Sequence, residues 1–135
     1  MANHAVLTID GKKSDLKHFS YSLSRYTEEN GKPSTRVRSV MLNFVKDTIY
    51  DKGSATTWMS DPDKGKDGEV VIYADEAKKN ALKTIKWTNG YICAYEENFN
   101  LDAGSSNTVE SFSITCETVD IDGAKFDFLW PESHA

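Results

Sequence analysis

The run Val109-Glu110-Ser111-Phe112-Ser113-Ile114-Thr115-Cys116-Glu117-Thr118-Val119 alternates apolar and polar residues more cleanly than any other stretch of the chain. Phe112, Ile114 and Cys116 fall on one side, and Ser111, Ser113, Thr115 and Glu117 on the other. A period of two belongs to the extended strand, whose successive side chains point to opposite faces of a sheet. One packed face and one wet face is the usual condition of an antiparallel sheet.

The same pattern recurs outward from this segment. In Lys17 to Arg25, Phe19, Tyr21 and Leu23 oppose Ser20, Ser22 and Ser24, and in Val37 to Val45 the residues Val40, Leu42 and Phe44 share a face. Val6 to Ile9 is a short strand ending at the turn signal Asp10-Gly11, and Val70 to Tyr73 is another. Ile85 to Phe99 is a long candidate that contains Asn89-Gly90, a pair that reads either as a tight hairpin turn or as a bulge. Its alternation groups Tyr91, Cys93 and Tyr95 against Ile92 and Ala94. After a turn at Asp122-Gly123, Phe126, Phe128 and Trp130 form a last aromatic face, closed by Pro131.

Loops separate these runs at Glu28 to Thr35, Asp47 to Gly53, Asp61 to Gly68 and Leu101 to Asn107. Within the first, Asn30-Gly31-Lys32-Pro33-Ser34 combines a residue tolerant of positive φ with one that lacks a backbone donor. Ser54 to Met59 predicts a short helix capped by Ser54, with Trp58 and Met59 packed inward. Asp75 to Leu82 consists of good helix formers behind a capping residue, but it is short for a stable helix. With no repeats, linkers or low-complexity tracts, residues 1–135 read as one domain. Several short strands between turn signals predict an all-β sandwich or barrel.

Composition narrows the function. Of the 135 residues, 39% are hydrophobic and 27% charged, enough apolar content for a real core. A net charge of -5 with interleaved lysines argues against nucleic acid as a partner. The longest aliphatic run, Val70-Val71-Ile72, is far short of the ~20 residues of a membrane-spanning helix, so no membrane insertion is expected. The N-terminal residues have neither the basic start nor the apolar run of a secretory signal. Cys93 and Cys116 sit in predicted strands; one disulfide between them is conceivable, and cytoplasmic synthesis favours free, buried thiols.

Little in the chain points to chemistry. His4 and His134 lie near the ends and His18 flanks a strand, neither cysteine has a ligand partner at metal spacing, and no HExxH, GxSxG, GxxxxGK or GxGxxG occurs. Neighbouring acids such as Glu96-Glu97 point to opposite faces of a strand. No catalytic residue, cofactor or metal is expected. Trp58, Trp87 and Trp130 read as packing anchors, with a sugar- or lipid-binding surface as the alternative. The serine stripe of Ser20, Ser22 and Ser24 reads either as a plain solvent face or as the lining of a wet channel between assembled subunits.

Phe19-Ser20-Tyr21-Ser22-Leu23-Ser24-Arg25 followed by Asn30-Gly31-Lys32-Pro33-Ser34 resembles a divergent branch of the Hcp (TssD) tube proteins of type VI secretion systems. Trp58-Met59, Gly68 to Tyr73, Tyr91 to Asn98, Ser111 to Ile114 and Trp130-Pro131 continue the likeness in order along nearly the whole chain. Many relatives carry a Gly-Gly pair where this chain has Arg38-Ser39.

The resemblance implies a mostly β fold, a two-sheet antiparallel β-barrel-like architecture with one short helix, and it favours a hairpin turn over a helix at Asp75 to Leu82. It implies no enzymatic activity. It further implies hexameric rings that stack into a tube ejected by a contracting sheath. The expected partners are other copies of the chain, sheath, spike and baseplate proteins, and secreted effectors. The protein would be made and assembled in the cytoplasm and then exported without a signal peptide. Asn30, Gly31, Lys32, Pro33 and Ser34 become candidate contacts to the next ring. Two other classes stand beside this one: a monomeric ligand-binding barrel, and a carbohydrate-binding β-sandwich with an exposed aromatic platform.

Overall fold

The computed structural model describes residues 3–25, 29–31, 37, 39–47, 54–61, 63–75, 80–99 and 108–128. The alternating runs become antiparallel strands: β1 (His4–Ile9), β2 (Lys12–Leu16), β3 (His18–Ser24), β4 (Ser39–Asp47), β5 (Lys66–Tyr73), β6 (Ala81–Phe99), β7 (Thr108–Ile121) and β8 (Ala124–Asp127). Among the described residues one helix, α1 (Ser54–Ser60), lies between β4 and β5. The strand order is β2-β1-β5-β6-β7-β4-β3, with β8 on β7.

The long strands β6 and β7 divide this continuous ladder into two halves. The first part of β6 pairs with β5 and with the end of β7, which carries β8; the last part of β6 pairs with the beginning of β7, which carries β4 and then β3. The two expected sheets are thus two halves of one ladder, joined where β6 and β7 pass from one to the other. Strands that switch sheets at bends are a known way to make such corners. Leu7, Val70, Ile85, Trp87, Val119 and Ile121 from one half meet Val40, Leu42, Phe44, Phe112 and Ile114 from the other in a single buried cluster. Phe44 links the halves directly, 5.8 Å from Trp87 and stacked on Phe112 at 4.9 Å between ring centroids.

The bend comes from extra residues. On β6 the inward residues are Ile85 and Trp87, then Gly90 and Ile92, so Asn89 is one residue too many for strict alternation. On β7, Cys116 and Val119 both point inward, so that strand carries an extra residue at the same level. The β6–β7 register stays unshifted there because both strands gain one residue. Asn89-Gly90 is therefore a bulge, with Asn89 at φ 51°. The bulge at Asn89 leaves Tyr91 and Cys93 on the outward side, and a second irregularity between Ile92 and Ala94 turns Tyr95 inward. Tyr91, Cys93 and Tyr95 consequently do not share a face, contrary to the simple alternation, and Cys93 is exposed.

Other expectations change in detail. β2 has the polar sequence KKSDL and no strand signal; it forms because Asp10 and Gly11, at φ 53° and 76°, fold the chain back so that Ile9 pairs with Lys12. Strand β5 starts at Lys66, inside the polar run read as a turn through Gly68, because Lys66 accepts a bond from Trp87 Nε1 at 3.0 Å and pairs with Asp10 at 2.8 Å. Trp58 is buried as expected, its Nε1 donating to the Lys64 carbonyl at 2.8 Å, but Met59 is 43% exposed because the next helical position points away from the sheet. β5 and β6 are antiparallel neighbours and Ala74 N–H donates to Asn80 O at 2.9 Å, so their connection is a hairpin; residues 76–79 lie outside the described residues. Trp130 lies outside them too.

Candidate assembly surface

Strands β3 and β4 hold the base of the proline-containing loop. Ser24 pairs with Ser39 at the last rung of their ladder, and the two hydroxyls meet at 2.8 Å. The chain thus leaves and returns at one point, and Val37 packs against the core on the way back. Glu29 and Asn30 form a turn, and Gly31 has φ 84°, where a side chain would be strained. Of the candidate contact residues, Asn30 and Gly31 are therefore in a tight turn; Lys32, Pro33 and Ser34 lie outside the described residues, as does Arg38. Ser39 is the first residue of β4.

The outward face of the β3–β4–β7 half is uncharged across its centre. Ser20, Ser22 and Ser24 pair with Asn43, Met41 and Ser39, and Asn43 and Val45 pair in turn with Ser113 and Ser111. Its polar groups satisfy one another: Ser113 Oγ donates to Asn43 Oδ1 at 2.7 Å, and Asn43 Nδ2 donates to Ser20 Oγ at 3.3 Å. The other half presents the opposite character, a row of Glu69, Lys86, Asp120 and Lys125 alternating in charge across β5, β6, β7 and β8. Serines on β3 alone pointed to the first surface; the wet sides of all three strands, aligned in register, would have defined it more fully.

Both cysteines are free, as expected, but only Cys116 is buried. Burial pushes its thiol up to about 12, and desolvation raises that of Cys93 as well. At pH 8 a maleimide should modify the exposed Cys93 in the folded protein, more slowly than a free thiol, and Cys116 only after unfolding, which mass spectrometry of the intact chain will read. Because the folded Cys116 titrates above its unfolded counterpart, its contribution to stability is complete below the unfolded value and declines as pH rises toward the folded one. Cys116→Val should flatten that alkaline decline.

Chemistry-bearing residues are otherwise used structurally. Asp122 Oδ1 accepts from Thr84 N–H at 2.8 Å and Asp120 Oδ1 from Gly123 N–H at 2.7 Å, both fixing turns. Glu96 and Glu97 face opposite ways, as read. His4 and His18 are strand-face residues on β1 and β3. Trp58 and Trp87 are 4% and 2% exposed, so neither contributes to an aromatic platform. Among the described residues no cluster of three or more histidines, cysteines or acids could hold a metal ion, and no helix is long and apolar enough to cross a membrane.

The family model for the hemolysin coregulated protein Hcp (TssD) matches residues 1–131. The chain belongs to the Hcp family. Hcp1 of Flavobacterium johnsoniae is 31% identical with a TM-score of 0.69, covering 92% of this chain and 98% of that one. Hcp1 of Salmonella typhimurium shares the fold at 16% identity and TM-score 0.70, over 95% and 96% of the two chains. A chain of the sheath–tube complex of the extracellular contractile injection system PVC also shares it, at 16% identity and TM-score 0.62, over 89% and 88%. No curated protein sequence matches. This Hcp chain is accordingly a tube protein of type VI secretion or related contractile injection systems. The family is structural and non-enzymatic.

Proposed function

We propose that this Hcp protein closes into hexameric rings that stack into the inner tube of a contractile secretion machine, carry effectors and leave the cell with them when the sheath contracts. The family match over residues 1–131 carries this reading. A head-to-tail contact between copies uses two different patches and closes when its rotation fits a ring, and it covers strand edges that would otherwise template uncontrolled pairing. Strands β3 and β2 end the ladder, so the chain offers such edges. The uncharged face of β3, β4 and β7 suits the lumen, where hydroxyls and an amide bonded to one another present a wet wall without fixed charge. The charged row of the other half suits the exterior, toward sheath; spike and baseplate proteins would meet the ring faces at the tube ends.

Light scattering with negative-stain imaging tests the assembly. Closed rings of about six 15.1 kDa subunits are expected. A monomer at all concentrations would refute the ring and return attention to a monomeric ligand-binding barrel. Residues 30–34 are proposed to contact the next ring. Replacing Lys32 and Ser34 together by alanine should abolish stacked tubes while leaving single rings, whereas unaltered tube length would remove the loop from the stacking contact.

A further inference from the structure

We infer that the paired extra residues Asn89 and Glu117 form a kink that sets the angle between the two half-sheets and thereby the closure of the ring. This rests on the ring reading above.

Asn89 and Glu117 stand at the one level where both β6 and β7 gain a residue. Trp87 pairs with Val119 and Gly90 with Cys116, three residues apart on each strand. β5 pays no matching residue: Gly68 pairs with Trp87 and Lys66 with Gly90. The kink is held from three strands. Asn89 N–H donates to Asp67 Oδ1 at 2.7 Å on β5, and its Nδ2 donates to Glu117 Oε1 at 3.0 Å on β7. Asn89 itself has φ 51°, a conformation that asparagine tolerates better than most residues.

Packing leaves the bend no freedom to relax. A Cβ at Gly90 would stand 2.5 Å from Trp87 Nε1, and one at Gly68 2.5 Å from the Trp87 ring and 2.9 Å from the Thr8 carbonyl. A Cβ at Gly65 would overlap the Asn89 side-chain oxygen. Three backbone segments therefore close around Trp87 and Asn89, with no room for side chains of their own.

The consequence is geometric. Edge strand β3 belongs to one half, and β2 and β8 to the other. In a head-to-tail ring, the rotation from one subunit to the next is the angle between the two contacting patches of a single subunit. Patches drawn from opposite halves inherit that angle from the kink.

Deleting Asn89 and Glu117 together makes the test. Register is preserved, every inward residue keeps its side, and the β5–β6 ladder becomes regular through Lys66 and Gly68. The deletion variant should melt cooperatively yet give no six-membered ring, yielding monomers or a different subunit number. Rings of wild-type mass would overturn the inference. If that variant does not fold, Asn89→Asp decides: it sets a third carboxylate against Asp67 and Glu117, and should lower the ring fraction about tenfold at low salt with recovery at high salt. A ring fraction equal to wild type in both salts would overturn the inference. Ile121→Val, a mild core change away from the kink, controls for general destabilisation and should keep its rings. Absence of rings in the wild type would instead refute the ring reading itself.

Discussion

Lys46→Met is expected to lower the unfolding free energy by about 3–5 kcal/mol, because it strands a buried carboxylate. Lys46 and Glu110 are cross-strand partners on β4 and β7, 9% and 4% exposed, with Nζ and Oε1 3.0 Å apart. Tyr95 O–H donates to the other Glu110 oxygen at 2.7 Å and lies 3.3 Å from Glu97 Oε1. Burial first, and then the bond to Glu110, hold that phenol well above its ordinary range, so it stays a donor. Glu110 thus has both oxygens occupied, and removing the Lys46 ammonium leaves a charge among Phe112, Phe44 and their neighbours. Replacing both partners, Lys46→Met with Glu110→Leu, removes the stranded charge and should recover most of the loss. Urea unfolding of the single and double variants measures the coupling. A loss below about 1 kcal/mol for the single change would mean that the pair behaves as a solvated surface bridge.

Trp87→Ala should cost a similar amount, about 3–5 kcal/mol, through the cavity left behind. The indole is 2% exposed, packs on Phe44 and donates from Nε1 to the Lys66 carbonyl, so its loss opens the core and unties the start of β5. The glycines around it sharpen the prediction. Gly90→Ala is destabilising in the wild type, where its Cβ would meet Trp87 Nε1 at 2.5 Å, and should cost much less in the Trp87→Ala background. A double-mutant cycle reads this directly as a non-additive term. Strictly additive losses would mean that Gly90 is required for its backbone and not for the space it leaves to the indole.

Much of the fold was legible because local pattern and burial agree wherever strands alternate without interruption. Phe19, Tyr21 and Leu23, then Val40, Leu42 and Phe44, then Phe112, Ile114 and Cys116 all point inward as their spacing requires. The turns at Asp10-Gly11 and Asp122-Gly123 followed from residues that accept positive φ, and a short helix containing Trp58 stands where the sequence placed one. The likeness to Hcp rested on these strands and on the Asn30 to Ser34 loop, and it extends from residue 1 to residue 131. Misreadings fell where the period breaks. An unbroken strand would keep Cys93 and Tyr95 on one face, whereas the extra residue between Ile92 and Ala94 separates them; β2 carries no strand signal because its pairing comes from the turn before it and not from its own side chains.

The sequence by itself determined the class of fold, the strands with unbroken alternation and the family, since each depends on residue type at short, regular spacing. Only the tertiary structure decided that Asn89 bulges instead of turning, that Glu117 compensates for it on the neighbouring strand, and that the serines of β3 join Asn43 and Ser113 in one uncharged face. These are matters of register between strands far apart in the chain. One extra residue moves every later side chain to the opposite face, and whether it is absorbed depends on what the partner strand does at the same rung.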